Sequence, residues 1–349
     1  MPQKPRYITP TDGIWAWTRE RTPLMPLQAG DKAGCRAWQR KFRAQLRRLL
    51  GPTPEKVPLR PETIETKDMG DYIQRKIVFD SDAYTSVPAY VLTPNGIAPG
   101  EKRPGVLAAH GHGHGKINIC GIAETELHKT TIETLNYDYA RQFAKRGYVV
   151  IAPDWRGFGE RSSPADWVRP NRDQCNVNYM AYGYQGYHLL ALQIFDGMRA
   201  IDYLQTLPEV DPRRIGCGGL SFGGTMTTYL TALDPRIKVA CISGYLSTIA
   251  GDAIGMRGLG NFCGSQYMPG LLKYGDIPDV GALIAPKPLL VEMGEKDTCF
   301  IIEDMTKAYN YVRRAYEAYG ALDRIDADIH PYEHRWSGVK AYDWFARWL

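Results

Sequence analysis

Arg214-Ile215-Gly216-Cys217-Gly218-Gly219-Leu220-Ser221-Phe222-Gly223-Gly224-Thr225-Met226 decides how this chain folds. Arg214 to Gly218 reads as a short buried strand, and Phe222 to Leu233 reads as a helix. Between them Gly219-Leu220-Ser221-Phe222-Gly223 fits G-x-S-x-G. A strand that passes straight into a helix must turn sharply, and the flanking glycines relieve the crowding at that corner. Such a corner exposes the Ser221 hydroxyl beyond the strand end, where the helix N-terminus favours developing negative charge.

Outward from this corner, strand and helix alternate. Val106-Leu-Ala-Ala, Tyr148-Val-Val-Ile-Ala, Ile237 to Ile242, Pro288 to Met293 and Asp328-Ile-His-Pro-Tyr read as strands. Tyr137 to Arg146, Tyr187 to Leu207, Ile302 to Tyr319 and a last segment read as helices. Buried strands alternating with helices predict an α/β fold, a mostly parallel sheet covered on both faces. Glu62–Thr93 instead shows three short strands joined by tight turns, which adds an antiparallel N-terminal edge. Ahead of them, Asp31 to Leu50 is a helix with Trp38, Phe42, Leu46 and Leu49 on one face and Gly51 as its stop. The expected organisation is a helical extension over 1–60 packed on a core of 61–349. Residues 245–279 form an irregular glycine-rich stretch placed like a lid or substrate-binding excursion. Ligands of such sheets sit beyond the carboxyl ends of the strands.

A serine hydroxyl needs a base, and the base needs an orienting carboxylate. Only His330 and His334 follow Ser221 among the histidines. His330 falls within a strand pattern, whereas His334 lies past its end, so His334 is the expected base. The acid should leave the preceding strand, at Met293-Gly294-Glu295-Lys296-Asp297. Glu292 lies inside that strand and Glu295 in the turn, which leaves Asp297. An oxyanion hole needs two backbone N–H donors. Phe222, after the nucleophile, is one. His112, in His110-Gly111-His112-Gly113-His114-Gly115, is the other. The three histidines of that run invite a metal, but no Cys or carboxylate motif accompanies them, and the alternate glycines already serve the loop, so no metal is expected. Arg156, Glu160 and Tyr267 are rim candidates for a polar substrate, although Arg156 and Glu160 could equally pair with each other.

Composition narrows the partners. The 349 residues carry 43 basic and 38 acidic side chains, a formal charge of +5. That mild excess gives no reason to expect nucleic acid or a membrane surface as partner. Seven scattered cysteines without a C-x-x-C fit free thiols in a reducing compartment. The N-terminus lacks a secretory pattern, so the expected location is cytoplasmic. Oligomeric state stays open, a homo-oligomer included.

The runs His110-Gly-His-Gly, Asp154-Trp-Arg-Gly-Phe-Gly, Gly219-Leu-Ser-Phe-Gly-Gly, Gly294-Glu-Lys-Asp and Glu333-His-Arg-Trp-Ser resemble the dienelactone-hydrolase-like and acetyl-xylan-esterase-like branch of the α/β-hydrolase superfamily. The resemblance spans residues 30 to 349. It implies a Ser221–Asp297–His334 triad, hydrolysis of esters, often acetyl esters of sugars, and no cofactor. The chain departs from the branch in having Ser221 where typical dienelactone hydrolases have Cys. It also has Phe222, Phe158 and Arg335 where deacetylases carry Gln, Gln and Glu. The expected activity is that of a serine esterase acting on short acyl esters of a small molecule. A peptidase, thioesterase or acyltransferase would use the same triad, and a non-catalytic binding protein could keep the same fold.

Overall fold

Strand and helix periods sort the chain into layers. The computed structural model describes residues 6–163, 173–256 and 261–349. Among these, the strands are β1 (Glu62–Asp68), β2 (Tyr72–Asp80), β3 (Ser86–Pro94), β4 (Arg103–Ala109), β5 (Val149–Pro153), β6 (Val210–Leu220), β7 (Ile237–Ser243), β8 (Leu289–Gly294) and β9 (Ile325–His330). They form one nine-stranded sheet in the order β1-β2-β3-β5-β4-β6-β7-β8-β9. The first three pair antiparallel, β3 meets β5 antiparallel, and β5 to β9 run parallel. This is the α/β-hydrolase arrangement with a mixed N-terminal edge.

Burial follows position in the sheet. Strands β5, β7 and β8 are almost wholly buried, as expected where helices cover both faces. Strand β1 is exposed along its length, and its Glu62, Glu65, Lys67 and Asp68 protect the edge from pairing with another chain. The sheet divides two apolar layers. One gathers Phe42, Phe79, Trp155, Phe222 and Met226; the other gathers Tyr139, Phe143, Trp336 and Phe345.

The N-terminal helix Lys32–Leu50 is docked on the first layer. Asp31 caps it by accepting from the Gly34 N–H, and Gly51 ends it at φ 74°. Trp38 stacks on Phe42 at 5.1 Å. On another side of the helix, Arg43 donates to the carbonyls of Ala232 and Leu283 and ties it to the core.

Some elements depart from expectation. The final strand begins at Ile325 and ends at His330, because Pro331 has no N–H to continue the ladder. Helices Pro10–Glu20, Glu126–Leu135 and Gln174–Tyr184 add to those the sequence pattern predicts. Two of them carry local signals. Thr9 caps the first ahead of Pro10, and Thr125 caps the second, which closes on a left-handed Asn136. The 245–279 stretch holds a π-helical turn, Ile249–Met256, and the helices Leu271–Tyr274 and Ile277–Ala282. Met268, Leu271, Ile277 and Val280 are buried in the core, so part of the stretch is wall. Gly258 and Gly260 lie outside the described residues. No helix among the described residues is long and apolar enough to cross a membrane.

Candidate active site

The corner after β6 holds Ser221 at φ 62°, ψ −120°. A serine in this region is strained, and surrounding packing must hold it there. Its N–H donates to the Ser243 carbonyl at 2.9 Å, which fixes the corner against the end of β7. Glycines make the corner fit. A Cβ on Gly219 would lie 2.2 Å from the Ala109 carbonyl oxygen, and one on Gly223 would lie 1.9 Å from it. Only bare backbone can pass there. The helix Phe222–Leu233 starts at once, so its first N–H groups have no partner within the helix and face the serine end.

Asp297 stands in the turn leaving β8 and is 6% exposed. Its Oδ1 accepts the N–H groups of Cys299 and Phe300 at 2.6 and 2.9 Å. Its Oδ2 lies 2.8 Å from His334 Nδ1. The His334 ring lies across Gly244, the residue after β7. A Cβ there would approach Cε1 to 2.9 Å and the Leu220 side chain to 3.0 Å. The imidazole thus sits between the Asp297 turn and the end of β6, with Nδ1 engaged and Nε2 left for another partner. His330 is elsewhere: it is buried on β9, its ring 5.9 Å from that of Tyr332.

The loop that carries His334 is anchored by a residue passed over as an acid. Glu292 is fully buried on β8, and its carboxylate accepts the N–H groups of Ser337 and Gly338 at 3.0 and 2.9 Å. Burial pushes its carboxyl up to about 7. Trp336, also fully buried, stacks on Tyr139 at 4.6 Å and donates its backbone N–H to the Leu135 carbonyl.

Opposite, the His110–Gly115 loop is ordered by its own first residues. The Trp155 N–H donates to His110 Nε2, so Nδ1 bears the hydrogen and donates to the Gly111 carbonyl at 2.7 Å. Burial lowers the His110 pKa to about 4, which keeps the ring neutral. The Gly111 N–H is taken by the Tyr137 hydroxyl at 2.6 Å. In a trans peptide the Gly111 carbonyl and the His112 N–H point to opposite sides. The His112 N–H is therefore turned away from His110. Gly111 itself lies against the serine, where a Cβ would be 3.3 Å from Ser221 Cβ.

The three rim candidates lie apart from one another. Arg156 is 4% exposed, and its guanidinium donates to Asp82 at 2.7 Å and to both oxygens of Asp196 at 2.8 Å. Arg161 also reaches Asp196. Burial works against ionisation of Asp196, yet Arg161 and Arg156 hold its carboxyl down at about 2. Arg156 and Glu160 do not pair with each other. Glu160 binds Lys76 at 2.7 Å and the buried Lys116, which also reaches Asp154 at 2.6 Å. Tyr267 is 47% exposed and meets Tyr179 edge-on at 5.2 Å. It borders an apolar cleft of about 800 Å³ with Phe262, Cys263, Gln266 and Met268. Gln266 links this cleft to the serine helix by donating to Thr225 at 3.0 Å.

Known proteins share this architecture. YtaP of Bacillus subtilis strain 168, whose hydrolase label is provisional, is 29% identical over 285 residues, 80% of this chain and 89% of that protein. A Bacteroides fragilis structure provisionally labelled an acetyl xylan esterase superposes with a TM-score of 0.79 at 20% identity, covering 95% of this chain and 84% of that one. A glucuronoyl esterase from Solibacter usitatus gives 0.65 at 15% identity, covering 98% and 97%. The structural likenesses speak for the fold. Residues 6–341 match the model of the Abhydrolase family, and to that family this chain belongs.

Proposed function

We propose that the protein is a serine carboxylic-ester hydrolase that forms an acyl-enzyme on Ser221. The observation that carries this reading is the 2.8 Å bond between Asp297 and His334, held beside the strained Ser221 corner. Asp297 fixes the hydrogen on Nδ1, which leaves Nε2 as the acceptor. His334 Nε2 takes the Ser221 proton as Oγ attacks the ester carbonyl. The carbonyl oxygen becomes an oxyanion held by the Phe222 and His112 N–H groups. Each such donor contributes about 2.7–4 kcal/mol to the transition state. The Nε2 proton then goes to the leaving alkoxide as the C–O bond breaks. Water, deprotonated by His334, attacks the acyl carbon and releases acid and free serine. The imidazolium in both steps is stabilised by the Asp297 carboxylate.

A short acyl group suits the space beside the serine. Phe222 packs on Phe158 at 5.2 Å, and Phe158 stands edge-on to His112 at 5.1 Å, so aromatic rings close that side. We assign the alcohol portion to the cleft of about 800 Å³, whose Gln266 is bonded to Thr225 on the serine helix. Similarity to proteins labelled acetyl xylan and glucuronoyl esterases favours an ester of a sugar.

A panel of p-nitrophenyl esters of rising chain length and of acetylated sugars tests the reading. Wild type should be fastest on acetyl esters and label with a fluorophosphonate, and Ser221→Ala should do neither. Full esterase activity in Ser221→Ala overturns it. Faster turnover with added alcohol than with water alone would mark an acyltransferase instead, and preference for thioesters or peptides would move the substrate class.

A further inference from the structure

Outside the Asp297–His334 pair, one other cluster of metal-ligating atoms is drawn together among the described residues. His112, Cys175 and Cys263 come from three separate segments, and their ligand atoms all lie within 4.8 Å of one another. We propose that these side chains form a binding site for a soft divalent transition-metal ion of the zinc class. The site stands whether or not Ser221 is the nucleophile.

Distance is the first argument. Bonds of about 2.05 Å to nitrogen and about 2.3 Å to sulfur, at a tetrahedral angle, set the two ligand atoms about 3.6 Å apart. His112 Nε2 and Cys175 Sγ are 3.6 Å apart. An imidazole and two thiols are also donor types that favour zinc-class ions over hard cations.

The surroundings hold the three ligands in place. Gly264, next to Cys263, donates its N–H to the side chain of Asn176, next to Cys175, at 2.7 Å. A Cβ on Gly264 would fall 2.3 Å from Tyr179 Cβ and 3.0 Å from the Cys175 carbonyl, so glycine lets the two cysteine segments close on each other. Phe158 stands edge-on to the His112 ring and sets its plane. Access follows from graded burial: His112 is exposed, Cys263 half-buried and Cys175 buried. An arriving ion meets the histidine first and then the thiols.

Three protein ligands leave a fourth tetrahedral position for water or for a donor atom of a bound molecule. Because His112 also carries the proposed oxyanion N–H, an ion on its ring would tether that loop to the helix Gln174–Tyr184 and to the wall of the apolar cleft.

The test uses the full chain, stripped of metal and kept in reductant, titrated with Co²⁺. The expected result is one ion per chain, with a thiolate-to-cobalt charge-transfer band that Zn²⁺ abolishes. Loss of a second-sphere partner alone weakens metal sites 10–100-fold, so Cys263→Ser and His112→Ala should each weaken binding by at least about 100-fold. Both side chains reach solvent, and thermal melts of these variants should match wild type within a few degrees. Absence of the band in wild type overturns the proposal. So does a band that survives unchanged in Cys263→Ser, or mass spectrometry that finds Cys175 and Cys263 joined as a disulfide in excess reductant.

Discussion

Replacing Asp297 by Asn probes how the imidazole is set. Oδ1 already accepts two backbone N–H groups, from Cys299 and Phe300. An asparagine must therefore keep its oxygen there and turn its NH₂ toward His334. That amide would donate to Nδ1, which must then be the bare nitrogen. The hydrogen moves to Nε2, which can then no longer accept the serine proton as the proposed mechanism requires. The flip that would rescue the tautomer would set NH₂ against two N–H donors, leaving two buried groups unpaired at about 1–3 kcal/mol each. Comparable tautomer traps lower kcat about 10⁴-fold, or about 5 kcal/mol of barrier. The fold should hardly change, since the shape and the two turn bonds survive. The assay is kcat and KM on p-nitrophenyl acetate, with a thermal melt alongside. KM within about threefold, an unchanged melt and kcat down by three to four orders are expected. A variant keeping a tenth of wild-type kcat refutes the assigned tautomer and the role of Asp297.

Other perturbations follow from the same geometry. Glu292 titrates ordinarily near 4.5 and near 7 when folded. Below about pH 4.5 both states hold the proton; between 4.5 and 7 only the unfolded chain loses it. Stability from this group should thus fall by up to about 3 kcal/mol as pH rises through that window and then level off. Chemical denaturation from pH 4 to 8 checks this against Glu292→Gln, in which the slope should flatten. That variant should also lose kcat more than KM, because its amide fits only one of the two N–H groups holding the His334 loop. Arg156→Ala should cost about 3–5 kcal/mol by leaving Asp196 buried and under-compensated. A raised KM without a lower melting temperature would instead make Arg156 a substrate ligand. Gly223→Ala drives a methyl into the Ala109 carbonyl and should cost about 3 kcal/mol or more, read as loss of folded protein. Tyr267→Ala should raise KM for aryl esters about 2–12-fold with kcat little changed, the worth of one aromatic contact.

What could be read in advance was what short-range pattern controls. The G-x-S-x-G corner, the Gly294 turn ahead of Asp297 and the placement of His334 past the strand each depend on a few neighbouring residues. The bonded pair Asp297–His334 follows from strand order, since β8 and β9 are adjacent and their ends share one edge. Longer-range pairing was hidden. Arg156 finds Asp82 and Asp196, and Lys116 finds Asp154 and Glu160, because separate loops converge under the sheet ends. No local period announces such partners. Glu292 looked like an ordinary strand residue; only the fold shows that a loop far along the chain needs its two oxygens. The His112, Cys175 and Cys263 cluster was invisible for the same reason, since its cysteines stand far from the histidine run.

The carbonyl of Ala109 acts as an anvil against which two glycines of the serine corner are pressed. The serine corner is thus shaped by main chain and has room for no side chain at either glycine. The cleft walls, by contrast, are made by Phe262, Tyr267 and Met268, which belong to a separate segment. Exchanging wall residues therefore reshapes the cleft without moving the serine corner.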